Sequence, residues 1–129
     1  MSKNRIAVDF KILEGQVIRS IEKGIDENNL TTELFFNTKS NKKYRMYHDY
    51  ECCEVVYLDD IVGDLHDLLD SPVLSAYETS NKEDERSVTW TFYNISTIKG
   101  SVTLKWYGSS NGYYSEDVYF EEILSIEGG

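Results

Sequence analysis

Leu58–Pro72 reads LDDIVGDLHDLLDSP, and whether this stretch is a helix or a strand decides the architecture of the chain. Ile61, Leu65 and Leu68 recur at i, i+4 and i+7, and Asp60, Asp64 and Asp67 repeat that spacing one residue earlier. On a helix this would set an apolar flank beside an acidic one. Asp59 stands where an N-cap belongs, the early carboxylates suit the positive end of a helix dipole, and Pro72, shortly after Leu69, marks a stop. The spacing therefore predicts one main helix over residues 59–70. Gly63 inside it would cost about 1 kcal/mol relative to alanine, which points to close packing at that position.

On either side of this stretch the pattern changes to period two. Apolar and polar residues alternate through Gln16–Ile21 and Leu30–Phe36, Lys43–Tyr47 is a third strand candidate, and Val55–Leu58 resumes the β-like run. Toward the C-terminus, Val88, Trp90 and Phe92 alternate with Thr89, Thr91 and Tyr93, then Val102, Leu104 and Trp106 with Thr103, Lys105 and Tyr107. These are two amphipathic strands turning near Lys99-Gly100, with Trp and Tyr in core and cross-strand roles. Asn111-Gly112 is a type I′ hairpin signal before Tyr113–Phe120, giving three consecutive antiparallel strands. The expected fold is α+β: one domain over residues 1–129, mostly antiparallel sheet, with one helix.

The charge is uneven. The chain holds 13 basic and 23 acidic residues; residues 1–45 carry nine basic and six acidic, residues 46–81 nine acidic and none basic, and residues 82–129 four basic and eight acidic. Direct nucleic-acid binding is disfavoured, because affinity for phosphates comes from Lys and Arg. A basic protein partner suits an acidic third better, the alternative being a surface that serves solubility. No run reaches the roughly 18 apolar residues of a membrane helix, and MSKNRIAVDF lacks a signal-peptide block. A soluble, cytoplasmic chain without membrane contact is expected.

The remaining concentration of chemistry is HDYECCE, His48–Glu54. A Cys52–Cys53 disulfide is disfavoured, since adjacent Cα atoms stand about 3.8 Å apart, below the usual range of about 4.4–6.8 Å for bridged pairs. Buried thiols are one reading. The other is Zn²⁺, which takes Cys and His in tetrahedral geometry if the backbone turns at Cys52-Cys53. His48, Cys52 and Cys53 would be three ligands, with Glu54, Glu78 or His66 as candidates for the fourth. A closed set makes the ion structural; a water in the fourth position opens hydrolytic chemistry with Glu51 or Glu54 as base.

Across roughly residues 12–121 the chain resembles a small phage- and prophage-encoded domain of unknown function. The residues carrying this are Tyr44, Met46, Tyr47 and His48; Cys52, Cys53 and Glu54; Asp60, Ile61, Gly63, Asp64 and Leu65; Ser71 and Pro72; Thr89–Phe92; and Ser110–Tyr114. Tyr77 departs from the acidic residue expected before Glu78. The resemblance extends to type II-A anti-CRISPR proteins with zinc at the His/Cys cluster. It implies a non-enzymatic phage protein in the host cytoplasm that binds a host type II CRISPR nuclease, with a structural zinc on His48, Cys52, Cys53 and Glu78. Asp59, Asp60, Asp64, Asp67 and Asp70 would then form the partner-binding face. The competing expectations are a small zinc-dependent hydrolase and a phage housekeeping domain without a host target.

Overall fold

The Leu58–Pro72 stretch is a strand that runs into a turn. In the computed structural model, which describes residues 5–124, β-branched and aromatic Val55-Val56-Tyr57 start a strand that continues unbroken to Val62. It pairs antiparallel with a later strand, from Val55 opposite Ser109 to Val62 opposite Thr103. That pairing supplies backbone partners an isolated, glycine-containing helix would have to supply alone. A register shift between Leu58 and Asp60 absorbs the extra residue and returns Ile61 to the half-buried side. Gly63 then takes φ 112°, and a Cβ there would lie 2.7 Å from the Ser101 carbonyl oxygen, so close packing does explain this glycine, but in a turn. Asp64 accepts from the His66 N–H at 3.0 Å and caps a single 3-10 turn, Leu65–Leu68, which buries Leu68. The apolar spacing thus comes from one strand residue and one short turn. The expected helix over 59–70, and with it the α+β class, is corrected to an antiparallel β fold without an α-helix among the described residues.

Among the described residues nine strands form this sheet: β1 (Arg5–Ala7), β2 (Ile18–Ile25), β3 (Thr31–Thr38), β4 (Lys43–Tyr47), β5 (Val55–Val62), β6 (Ser75–Glu83), β7 (Val88–Thr97), β8 (Gly100–Ser109) and β9 (Tyr119–Ile123). The order is β1-β9-β4-β3-β5-β8-β7-β6, with β2 paired to β3, and the sheet curls into a half-barrel. Its two halves meet where Thr31 stands opposite Leu58. At a second junction, Gly15 N–H donates to Val73 O at 2.8 Å, Val73 N–H to Gln16 O at 2.9 Å and Asp70 N–H to Ile18 O at 2.9 Å. No helix among the described residues is long and apolar enough to cross a membrane.

The concave side holds the core. Phe10 stacks edge-on against Tyr93 and Phe120, with ring centroids 4.8 and 5.1 Å away, and Tyr44 lies parallel to Phe120 at 5.5 Å. Trp106, fully buried, donates its indole N–H to Met46 Sδ at 3.1 Å, tying β8 in one half to β4 in the other.

Of two C-terminal readings, one is completed here and the other is corrected. In β7 the alternation holds, but the buried face is Thr89, Thr91, Tyr93, Ile95 and Thr97, while Trp90 and Phe92 are half-buried on the convex side. Thr91 stands opposite Trp106, and the large indole leaves room for a small neighbour. Two of the inward hydroxyls have clear acceptors: Thr89 donates to Glu116 at 2.6 Å and Thr97 to the Asp67 carbonyl. The Asn111-Gly112 signal does not make a hairpin: among the described residues there, only Gly112 has positive φ, whereas a type I′ turn needs two. Asn111 Oδ1 accepts from the Tyr113 N–H at 2.8 Å. The chain then leaves β8, and β9 pairs with β4 and β1.

Candidate functional site

The connection from β4 to β5 carries HDYECCE between strands that do not pair with each other, since β4 pairs with β3 and β9 and β5 with β8 and β3. The loop is anchored by its histidine. His48 Nε2 lies 2.7 Å from Glu54 Oε2, and Nδ1 lies 2.6 Å from the Asp117 carbonyl oxygen. Its ring stacks on Tyr119 at 6.3 Å and 14°. The side chains of His48 and Glu54 are 4% and 0% exposed, so this pair is sealed from water.

Because a carbonyl oxygen only accepts, Nδ1 carries the hydrogen that meets Asp117, and the other ring nitrogen faces the Glu54 carboxylate. Glu54 also accepts from the Glu51 N–H at 2.7 Å and the Cys52 N–H at 3.0 Å. Burial pushes this carboxyl upward, but the hydrogen bonds from His48 and the loop backbone outweigh it and hold the pKa at about 2.

Cys52 and Cys53 are joined to each other, with Cα atoms 3.7 Å apart, against the expectation of separate thiols. Bends at both residues remove the extended geometry in which neighbouring side chains diverge. Glu78 is elsewhere, on β6 opposite Tyr93, with its carboxyl pushed up by burial. The four expected ligands therefore do not fit a zinc ion as arranged: both nitrogens of His48 are engaged, the two sulfurs are bonded to each other, and Glu78 belongs to another strand. Among the described residues no three His, Cys, Asp or Glu side chains converge as a metal site. His66, the other histidine, is exposed and pairs with Asp64 at 3.2 Å.

A groove of about 490 Å³ adjoins the loop, lined in part by Asp26, Glu33, Arg45, Tyr47, His48 and Glu54. Arg45, which sequence reading passed over, is its organising cation. It bonds Glu33 at 2.8 Å and Glu121 at 3.2 Å and stacks 3.8 Å above the Tyr47 ring centroid. The signal was period two: Glu33, Arg45 and Glu121 lie on the convex faces of β3, β4 and β9, with Arg45 in direct register with Glu121.

The expected partner-binding aspartates form no helix face. Asp59 and Asp60 are exposed at the β5 bulge, with Asp60 in register opposite Lys105. Asp64 caps the 3-10 turn, Asp67 is half-buried beside Gly100, and exposed Asp70 lies 3.8 Å from Lys39. They remain an acidic border along the end of β5 and the turn after it.

A family model described as a domain of unknown function (DUF7448) matches residues 11–120. No curated protein and no solved structure matches the chain. The match runs from the 3-10 turn before β2 into β9 and takes in the sealed His48–Glu54 pair, Arg45 with its partner Glu33, and the acidic border; the chain belongs to the DUF7448 family.

Proposed function

We propose that this domain acts by binding a cationic protein surface in stoichiometric fashion and performs no chemistry of its own. The observation that carries this reading is the contrast between the two acidic regions. In the groove, His48, Glu54, Arg45, Glu33 and Glu121 are occupied with one another, whereas Asp59 and Asp60 at the β5 bulge stand exposed. Exposed like charges steer a partner of opposite sign. The partner that the phage-domain resemblance implies is a host type II CRISPR nuclease, met in the host cytoplasm. Such a nuclease holds its guide–target duplex in a positively charged channel, and an acidic rim seated there would keep guide or target from loading.

Of the two bases the hydrolase alternative names, Glu54 is poorly suited, because it is closed off from water and three donors hold its carboxylate weakly basic, which leaves that reading to rest on exposed Glu51. Structural zinc has no part in the mechanism proposed here, since the donors as arranged do not form a ligand set.

Nuclease cleavage assays and pull-downs, with guide-free and guide-loaded enzyme at low and high salt, test the reading. Binding is expected to fall as ionic strength rises. Changing Asp59 and Asp60 together to lysine should weaken association by roughly tenfold at low salt with the fold retained by circular dichroism, the melting temperature falling slightly because position 60 stands opposite Lys105. Those two positions are better probes than Asp64, whose removal also uncaps the 3-10 turn. Binding that both charge reversal and salt leave untouched would remove the acidic border from the account, and an absence of binding to any such nuclease would favour the housekeeping domain.

A further inference from the structure

Among the described residues, one long strand edge has no partner strand. β6 lies at the end of the strand order and pairs on one side with β7, from Ser75 opposite Ser96 to Glu83 opposite Val88. In an antiparallel ladder alternate residues turn their N–H and C=O groups to opposite sides. The Ala76 N–H donates to the Glu14 carboxylate at 3.0 Å and so faces away from β7. By the same alternation Glu78, Ser80 and Lys82 also present their backbone groups at the open edge, and residues 78–82 are all exposed, the Glu78 carboxyl leaning with one side on the Tyr93 hydroxyl of β7. Soluble proteins guard such edges because they template pairing with another chain.

We propose that β6 is a self-docking edge, on which two copies of this chain pair their β6 strands antiparallel about a two-fold axis at Ser80. The charges select this register. With the axis at Ser80, Glu78 of each copy stands opposite Lys82 of the other, so two cross-strand ion pairs form by symmetry, and Thr79 meets Asn81. Residues with edge-facing backbone groups meet their like, as an antiparallel ladder requires. Moving the axis to Thr79 sets Glu78 against Ser80 and Lys82 against Ala76, and both ion pairs vanish. Glu14, capping Ala76, ends the seam on one side. Lys82 is available, since its contact with Asp117 is 3.9 Å long and both side chains are more than half exposed. A single-strand seam is small, which puts the dimer among weak, concentration-dependent assemblies.

Sedimentation equilibrium over a wide concentration range, with circular dichroism to check folding, tests this. The wild-type chain should dimerise. Glu78→Lys or Lys82→Glu alone sets like charges opposite each other twice and should raise the dissociation constant about tenfold or more. An equimolar mixture of the two variants should regain wild-type affinity as a heterodimer, and so should the double variant with itself. Amide exchange of the unaltered chain gives a second reading that needs no variant: the N–H groups of Glu78, Ser80 and Lys82 should exchange more slowly as concentration rises. A chain that stays monomeric throughout, a dimer that both single reversals leave intact, or concentration-independent exchange at these three amides would overturn the proposal.

Discussion

A carboxylate sealed from water is tolerable only when donors replace the water it has lost. Glu54 meets that condition through His48 and the backbone N–H groups of Glu51 and Cys52, and His48 through Glu54 and the Asp117 carbonyl. Replacing the carboxylate weakens a buried acceptor shared by the imidazole and two backbone N–H groups, so Glu54→Gln should lower stability by about 3 kcal/mol, read by denaturant unfolding. The pH dependence follows from the lowered pKa, which falls from an ordinary 4.5 to about 2 in the folded chain. The unfolded state takes up the proton first, so the stabilisation is complete above roughly pH 5 and is lost as pH drops from 4.5 toward 2. Acid titration of the melting temperature should be visibly flatter for Glu54→Gln across that window. The sequence made the location legible, because His48 and Glu54 fall within seven residues. It could not show that Asp117, distant in sequence, supplies the second acceptor, and a histidine with both nitrogens engaged reads in sequence like a free ligand.

Between Leu58 and Pro72 two local periodicities compete, and the winner is chosen by what lies alongside. Leu65 and Leu68 repeat because one 3-10 turn brings residues three apart to the same side, and Ile61 joins them only through the bulge in β5. Nothing within the fifteen residues announces β8, whose pairing decides the matter. Gly63 is the clearest local sign, read in sequence as a packing requirement, and the packing is real. Gly63→Ala should cost about 2 kcal/mol in melting experiments, through φ 112° and the 2.7 Å approach to Ser101 O. For β7, period two established the strand but left the choice of face open. A curl that places Trp106 on the concave side turns the threonines inward and leaves Trp90 beneath Lys105, with the ammonium 4.7 Å from its ring. Asn111-Gly112 failed for a different reason: Ser110 and Thr89 are tied to buried Glu116, and that anchoring draws the chain away from β8.

Across the whole molecule, the two halves of the half-barrel share one interior, and Trp106 is the side chain that reaches from one to the other. Trp106→Ala should cost about 4 kcal/mol, and fluorescence and circular dichroism transitions should still coincide if the halves unfold as a unit. The long-range charge pattern was legible from composition, since the acidic third maps onto the β5 border and the His48 loop. The sheet order was not, because it depends on pairings between residues far apart in the chain.

β9 is the case in point. It lies between β4 and β1, from Lys43 opposite Ile123 on one side to Arg5 opposite Ile123 on the other. As the ribosome releases the chain, β1 emerges well before its partner among the described residues, which arrives only with the residues around Ile123. Phe120, on which Phe10, Phe36 and Tyr44 all pack, arrives equally late. Synthesis must therefore run past Ile123 before the aromatic interior can close, and until then the nascent chain exposes a row of aromatic side chains that a holding chaperone would recognise.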